Sequence, residues 1–252
     1  MHRRTFLGLV ATSAASMAFA QESSPSSVFL RATEIADFES AKNRLNQVSR
    51  HVGFGNFNII NFDLVLHYAR NVSKIGAFTP SELALLEKLF YDATEPYGFF
   101  GQRTCESLTA TIVEREVYKV PRSGHYLFQG EALHAFERLQ KDVGPTLILT
   151  SGVRSVAKQM SLFLDKISAC EGNISLAAKS IAPPGHSYHS IGDFDVGKQG
   201  FGYLNFTEEF AKTEEFLKLQ ELPYVRTRYV PGNPDGVWFE PWHIQIIKPM
   251  QT

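Results

Sequence analysis

At 252 residues, with 44% hydrophobic and 20% charged residues, the chain has the length and composition of an ordinary globular protein. Its formal net charge of −1 becomes more negative without Arg3 and Arg4, so no basic field draws nucleic acid or an anionic membrane, and nucleic-acid binding is excluded as a function. Two cysteines, Cys105 and Cys170, lack the spacing of a structural zinc site and a nearby histidine that would mark a thiol nucleophile, which leaves a bridge or two buried thiols.

Residues 1–20 read as an export signal. His2, Arg3 and Arg4 precede an apolar, small-residue run, and Ala18-Phe19-Ala20 fits the small-x-small cleavage rule ahead of Gln21. The run is too short to span a bilayer, so no transmembrane segment is expected in the mature chain. RRTFLG at residues 3–8 resembles a twin-arginine signal, and the expected address is a bacterial periplasm.

A Ser/Pro-rich spacer occupies residues 21–29, and helical patterns follow at 32–52 and 62–72. The best-marked helix starts at Thr79. In TPSELALLEKLFYD a capping threonine, Pro80 at the first helical position and Glu82 at the third lead into a leucine stripe. Residues 131–141 read as a helix, TLILT at 146–150 as a short strand and 156–169 as a further helix. Strands are expected at 193–196, 224–229 and 238–247, with the turn PGNPDG between the last two. Helices first and mixed strands later predict an α+β fold, a mainly antiparallel sheet with flanking helices, preceded by an N-terminal helical extension over residues 21–114.

Three segments carry candidate chemistry. In SYHSIGDFDVG and FEPWH, His189, Asp195 and His243 offer three ligands to one Zn²⁺, the count a catalytic zinc requires, and Glu240 stands three residues before the last of them as a general base. His186, three residues before His189, projects differently and is expected to be structural. Asp193 shares a strand face with Asp195, but beside Gly192 it is expected at the exposed end, with Asp195 further into the sheet. The third segment, SGVRSVAKQ, follows the 146–150 strand. Arg154 is placed there to hold a carboxylate in a bidentate pair, with Gln159 and Ser151 as hydrogen-bond partners, whereas a lone arginine would more often form a structural salt bridge. His125 adjoins this region, with core or surface placement favoured over contact with substrate.

Together these segments resemble the VanY-like D-alanyl-D-alanine carboxypeptidase family of zinc peptidases, whose pattern runs SGYRS with a downstream Gln, S-x-H-x-x-G-x-x-x-D, and E-x-W-H. Here they stand in that order as SGVRS with Gln159, SYHSIGDFDVG and EPWH, and Arg228-Tyr229 also looks like the family. The resemblance implies a zinc peptidase domain over residues 115–252, with His189, Asp195 and His243 as metal ligands, Glu240 as base, Arg154 as substrate-carboxylate clamp, and Ser187 and Gln159 shaping the substrate site. The substrate implied is a peptidoglycan stem peptide ending in D-Ala-D-Ala. A D,D- or L,D-endopeptidase and a non-catalytic wall-binding module are the alternatives. One departure stands out: the family's aspartate falls seven residues after the first histidine, where this chain has Val196, so Asp195 comes one residue early and Gly192 must absorb the difference.

Overall fold

The computed structural model describes residues 27–247. The expected export signal at residues 1–20 lies outside the described residues. Helix α1 (Ile35–Val52), α2 (Phe62–Asn71) and α3 (Pro80–Tyr91) come first, where the sequence pattern places them. The capping box of α3 is formed: Thr79 Oγ1 accepts from the Glu82 N–H at 3.2 Å and Glu82 Oε2 accepts from the Thr79 N–H at 2.9 Å. Glu82 is buried and also pairs with Arg44 on α1 at 3.0 Å, so one carboxylate caps α3 and ties it to α1.

A two-stranded hairpin follows, β1 (Val117–Lys119) with β2 (Tyr126–Phe128), then α4 (Glu131–Asp142) and β3 (Leu147–Ser151). Helix α5 (Val156–Ala169) starts at Ser155, whose Oγ accepts from the Lys158 N–H at 3.2 Å, and the short α6 (Ile174–Ala178) succeeds it. The rest comprises β4 (Phe194–Lys198), α7 (Glu214–Gln220), β5 (Val225–Tyr229) and β6 (Glu240–Ile246). The main sheet has the order β3-β4-β6-β5 with every pair antiparallel, which bears out the α+β expectation.

Two apolar clusters flank this sheet. Phe136 and Leu139 of α4 pack with Leu147, Leu149, Phe194, Val196 and Ile244. Because side chains alternate along a strand, Asp195 and His243, which lie between or beside these buried residues, point to the opposite face. The second cluster joins α1, α2 and α3 to Met160, Phe163, Leu164 and Ile167 of α5. Truncating a fully buried aromatic such as Phe163 to alanine costs about 3–5 kcal/mol. Helix α5 therefore divides the helical layer from the polar face of the sheet. Cys105 and Cys170 are free thiols, both partly buried, so no bridge links them.

Candidate metal centre

Asp195 on β4 stands directly opposite His243 on β6 in the antiparallel ladder. His189 arrives from a single 3-10 turn, Tyr188–Ser190. The short spacing between His189 and Asp195 is absorbed before the strand: Gly192 adopts φ +119°, and the Asp193 N–H donates to the Tyr188 carbonyl at 3.2 Å. Val196, at the family's usual aspartate position, is fully buried among the apolar residues on the other face.

His189, Asp195 and His243 each turn one ligand atom inward, all within 4.8 Å of one another. His189 Nε2 and Asp195 Oδ1 face each other at 3.4 Å, yet both are buried without a hydrogen-bond partner. His243 Nδ1 lies 3.4 Å from the same Oδ1. Two orphaned buried polar atoms at one point are costly unless a further group joins them, and a cation at that point satisfies both. The donor set, two imidazoles and a carboxylate, suits zinc.

The outer partners fix which nitrogen faces the cation. The Nδ1–H of His189 donates to the Gly152 carbonyl at 2.8 Å, leaving Nε2 as the acceptor. On His243, Nε2–H donates to Asp193 Oδ2 at 3.3 Å, leaving Nδ1. The exposed placement expected for Asp193 is thus corrected. It is 6% exposed, because Arg228 on β5 reaches it with Nε at 2.7 Å and Nη2 at 3.0 Å while stacking over the Tyr188 ring. Asp193 and Asp195 occupy opposite nitrogens of His243, so the first orients the ring and the second faces the candidate metal position. Sequence reasoning missed that role because the arginine responsible is 35 residues away.

Burial holds His189 neutral, with its pKa lowered to about 4, and the Arg154 charge pushes the same way. Burial also disfavours a charged His243. There the hydrogen bonds to Asp193 and Glu240 outweigh it, and the pKa rises to about 9 without metal. For Asp195, burial favours the neutral form but is overcome by the neighbouring imidazoles of His189 and His243 and the Arg154 guanidinium, so the carboxylate stays ionised. Glu240 is buried beside His243, with Oε2 3.6 Å from Nδ1, and desolvation raises its pKa despite that neighbour.

The triad opens into a cleft of ≈ 580 Å³ walled by α5, the 206–208 turn and the segment leading into β6. Arg154, Gln159, Ser187 and Glu240 all line it. Arg154 is already engaged: Nη2 bonds Asp195 Oδ2 at 2.7 Å and Nε donates to Ser151 Oγ at 2.9 Å, while Nη1 has no partner among the described residues. Gln159 donates to the Ala182 carbonyl at 2.7 Å, and its buried Oε1 is unpartnered. His186 bonds the Gly101 carbonyl through Nδ1 at 3.1 Å and packs edge-on to Phe99, which bears out its structural placement. His125 lines the cleft, contrary to the core or surface placement expected, and burial with the Arg154 charge lowers its pKa to about 4. Tyr229 packs edge-on against His243 at 4.9 Å, a contact that the Arg228-Tyr229 pair signalled only through the family pattern.

No curated protein sequence matches the chain. Among solved structures, the chain is similar to the LD-carboxypeptidase LdcB, with 23% identity, 53% of this chain covered and a TM-score of 0.45. It spans 64% of that protein's length. A vancomycin-resistance D,D-pentapeptidase VanY in complex with Zn(II) is similar at 23% identity over 53% of this chain and 79% of that one, with a TM-score of 0.42. VanYB in complex with D-alanine-D-alanine is similar at 23% identity over 53% of this chain and 77% of that one, with a TM-score of 0.43. The family model VanY, D-alanyl-D-alanine carboxypeptidase, matches residues 126–248, a span just under half of the chain that holds all three motifs.

Proposed function

We propose that the protein is a zinc-dependent D,D-carboxypeptidase that removes the terminal D-alanine from peptidoglycan stem peptides in the bacterial periplasm. The observation that carries this reading is the convergence of the unpartnered His189 Nε2 and Asp195 Oδ1 with His243 Nδ1, beside a buried Glu240. The family match supplies the substrate class, and the arginine pair with its apolar run supplies the address.

His189, Asp195 and His243 would hold a zinc ion, which when bound would supply Lewis-acid polarisation of the scissile carbonyl. Glu240 takes the proton of the attacking water and passes it to the leaving amine, and the burial that raises its pKa suits a group that must hold that proton in between. Arg154 offers its free Nη1 to the substrate's terminal carboxylate, with Gln159 Oε1 and Ser187 beside it to accept or donate hydrogen bonds. Its bond to Asp195 keeps the guanidinium fixed while it does so. Removing Glu240 from a general base role lowers the rate by ~10²–10⁴-fold.

The test is mass spectrometry of muropeptide digests made with wild type and Glu240→Ala, with zinc measured on both. Release of D-alanine by wild type, lost in the variant at equal zinc content, is the expected result. Zinc-loaded wild type that releases no D-alanine sinks the reading. A second reading, an endopeptidase cutting within cross-links, is favoured by the continuation of the cleft past Arg154 as far as Lys166. It predicts cleaved cross-links in the same digests without free D-alanine.

A further inference from the structure

The cleft extends well beyond the triad along one stripe of α5. Lys158, Leu162 and Lys166, spaced four residues apart on α5, line it, as does Arg154 just before the helix begins. Arg154 is paired with Asp195, whereas Lys158 and Lys166 are half-buried and neither ammonium has an acidic or hydrogen-bond partner among the described residues. Asp165, the acid nearest in sequence, is exposed and accepts instead from Asn46 Nδ2 at 3.1 Å. Other lysines flanked by acids do pair: Lys42 with Glu39, Lys88 with Glu34, Lys198 with Glu215. The carboxylates that line the cleft, Asp195, Glu208 and Glu240, belong to the sheet and the 206–208 turn, so negative charge faces a cationic helical wall.

We infer that the α5 wall is a second anion subsite, in which Lys158 and Lys166 each offer a seat to a carboxylate of the substrate peptide distinct from the one held at Arg154. An ammonium removed from most of its water without a counter-ion is unfavourable, and a ligand carboxylate supplies both the charge and the hydrogen-bond acceptor. Burial and the neighbouring Arg154 lower the Lys158 pKa, as befits a cation whose partner has yet to arrive. The eight-residue step from Lys158 to Lys166 rises ~12 Å along the helix, the reach of roughly three to four extended peptide residues. One stem peptide thus spans both lysines. Leu162 between them gives the intervening aliphatic part of the peptide an apolar seat.

The inference rests on the proposed peptidase reading, and its test separates the two. N-acetylated peptides ending in D-Ala-D-Ala, with glutamate or glutamine at either of the two preceding positions, are compared on zinc-loaded wild type and on Lys158→Gln/Lys166→Gln. Wild type is expected to prefer a glutamate peptide by about tenfold in kcat/KM, mainly through KM, and the ratio is expected to fall towards one in the double variant. A wild-type ratio of one, or a ratio that survives the double substitution, overturns the subsite while leaving the hydrolase reading intact. Where no peptide is cleaved, the hydrolase reading has failed, and calorimetric titration of the same pair into zinc-loaded protein decides the subsite. Tighter binding of the glutamate peptide, abolished in the variant, supports it, and equal binding overturns it.

Discussion

Replacing Asp193 by asparagine preserves the shape of the side chain and removes its charge. In the native arrangement its carboxylate accepts two bonds from Arg228, at 2.7 and 3.0 Å, and one from His243 Nε2 at 3.3 Å. Both members of the ion pair are well shielded, with side chains 18% and 7% exposed. Breaking a buried pair costs ~3–5 kcal/mol, and the amide oxygen retained by asparagine keeps the loss near the lower end. For a protein of this size that is a fall in Tm of roughly 6–12 °C. The same substitution leaves one uncharged acceptor oxygen for Arg228 and His243 to share, which loosens the hold that sets the His243 tautomer, and weakening of such a partner lowers metal affinity by about 10–100-fold. Zinc affinity by chelator competition and Tm by calorimetry, each on wild type and Asp193→Asn, provide the assay. Unchanged zinc affinity in a folded variant would refute the orienting role assigned to Asp193.

Asp195→Ala is expected to lose stoichiometric zinc, as measured by elemental analysis, and a variant that retains it would overturn Asp195 as a ligand. Zinc binding at pH 7 is expected to release a proton, because the metal-free His243 titrates at about 9 and must be neutral to bind. Calorimetry in buffers of different ionisation enthalpy reads that proton, and apparent affinity should climb with pH up to about 9 and then level off; a buffer-independent enthalpy contradicts the assignment. Gly152→Ala places a Cβ 2.0 Å from the Tyr126 carbonyl oxygen and must displace the backbone whose carbonyl holds His189, so both Tm and zinc affinity are expected to drop. Wild-type zinc binding in that variant would show that the Gly152 contact is dispensable.

The sequence was most legible where a local rule decides the structure. The TPSE run set the start of α3, and the apolar periodicities of 32–52 and 156–169 pointed to α1 and α5, because each needs only neighbours within a few residues. The three-residue strands β1 and β2 were not legible, being too short for an alternation to register. At the site, the residues brought together were legible as types in a motif order, but their supports were not. Asp193 is buried by an arginine two strands away in the sheet, the Gly152 carbonyl carries no side-chain signal, and His125 reaches the cleft through a hairpin that was itself unseen.

Helix α5 has no face to spare. One side holds Met160, Phe163, Leu164 and Ile167 against the N-terminal helices, and the other presents Lys158, Leu162 and Lys166 to the cleft. Any rotation of this helix by even a fraction of a turn would carry the cationic stripe towards apolar neighbours and the apolar stripe towards water, both unfavourable. The N-terminal helices thus act as a clamp on the rotational setting of the cleft wall, and substitutions buried beneath α1 can alter substrate selection without touching a residue that meets the substrate.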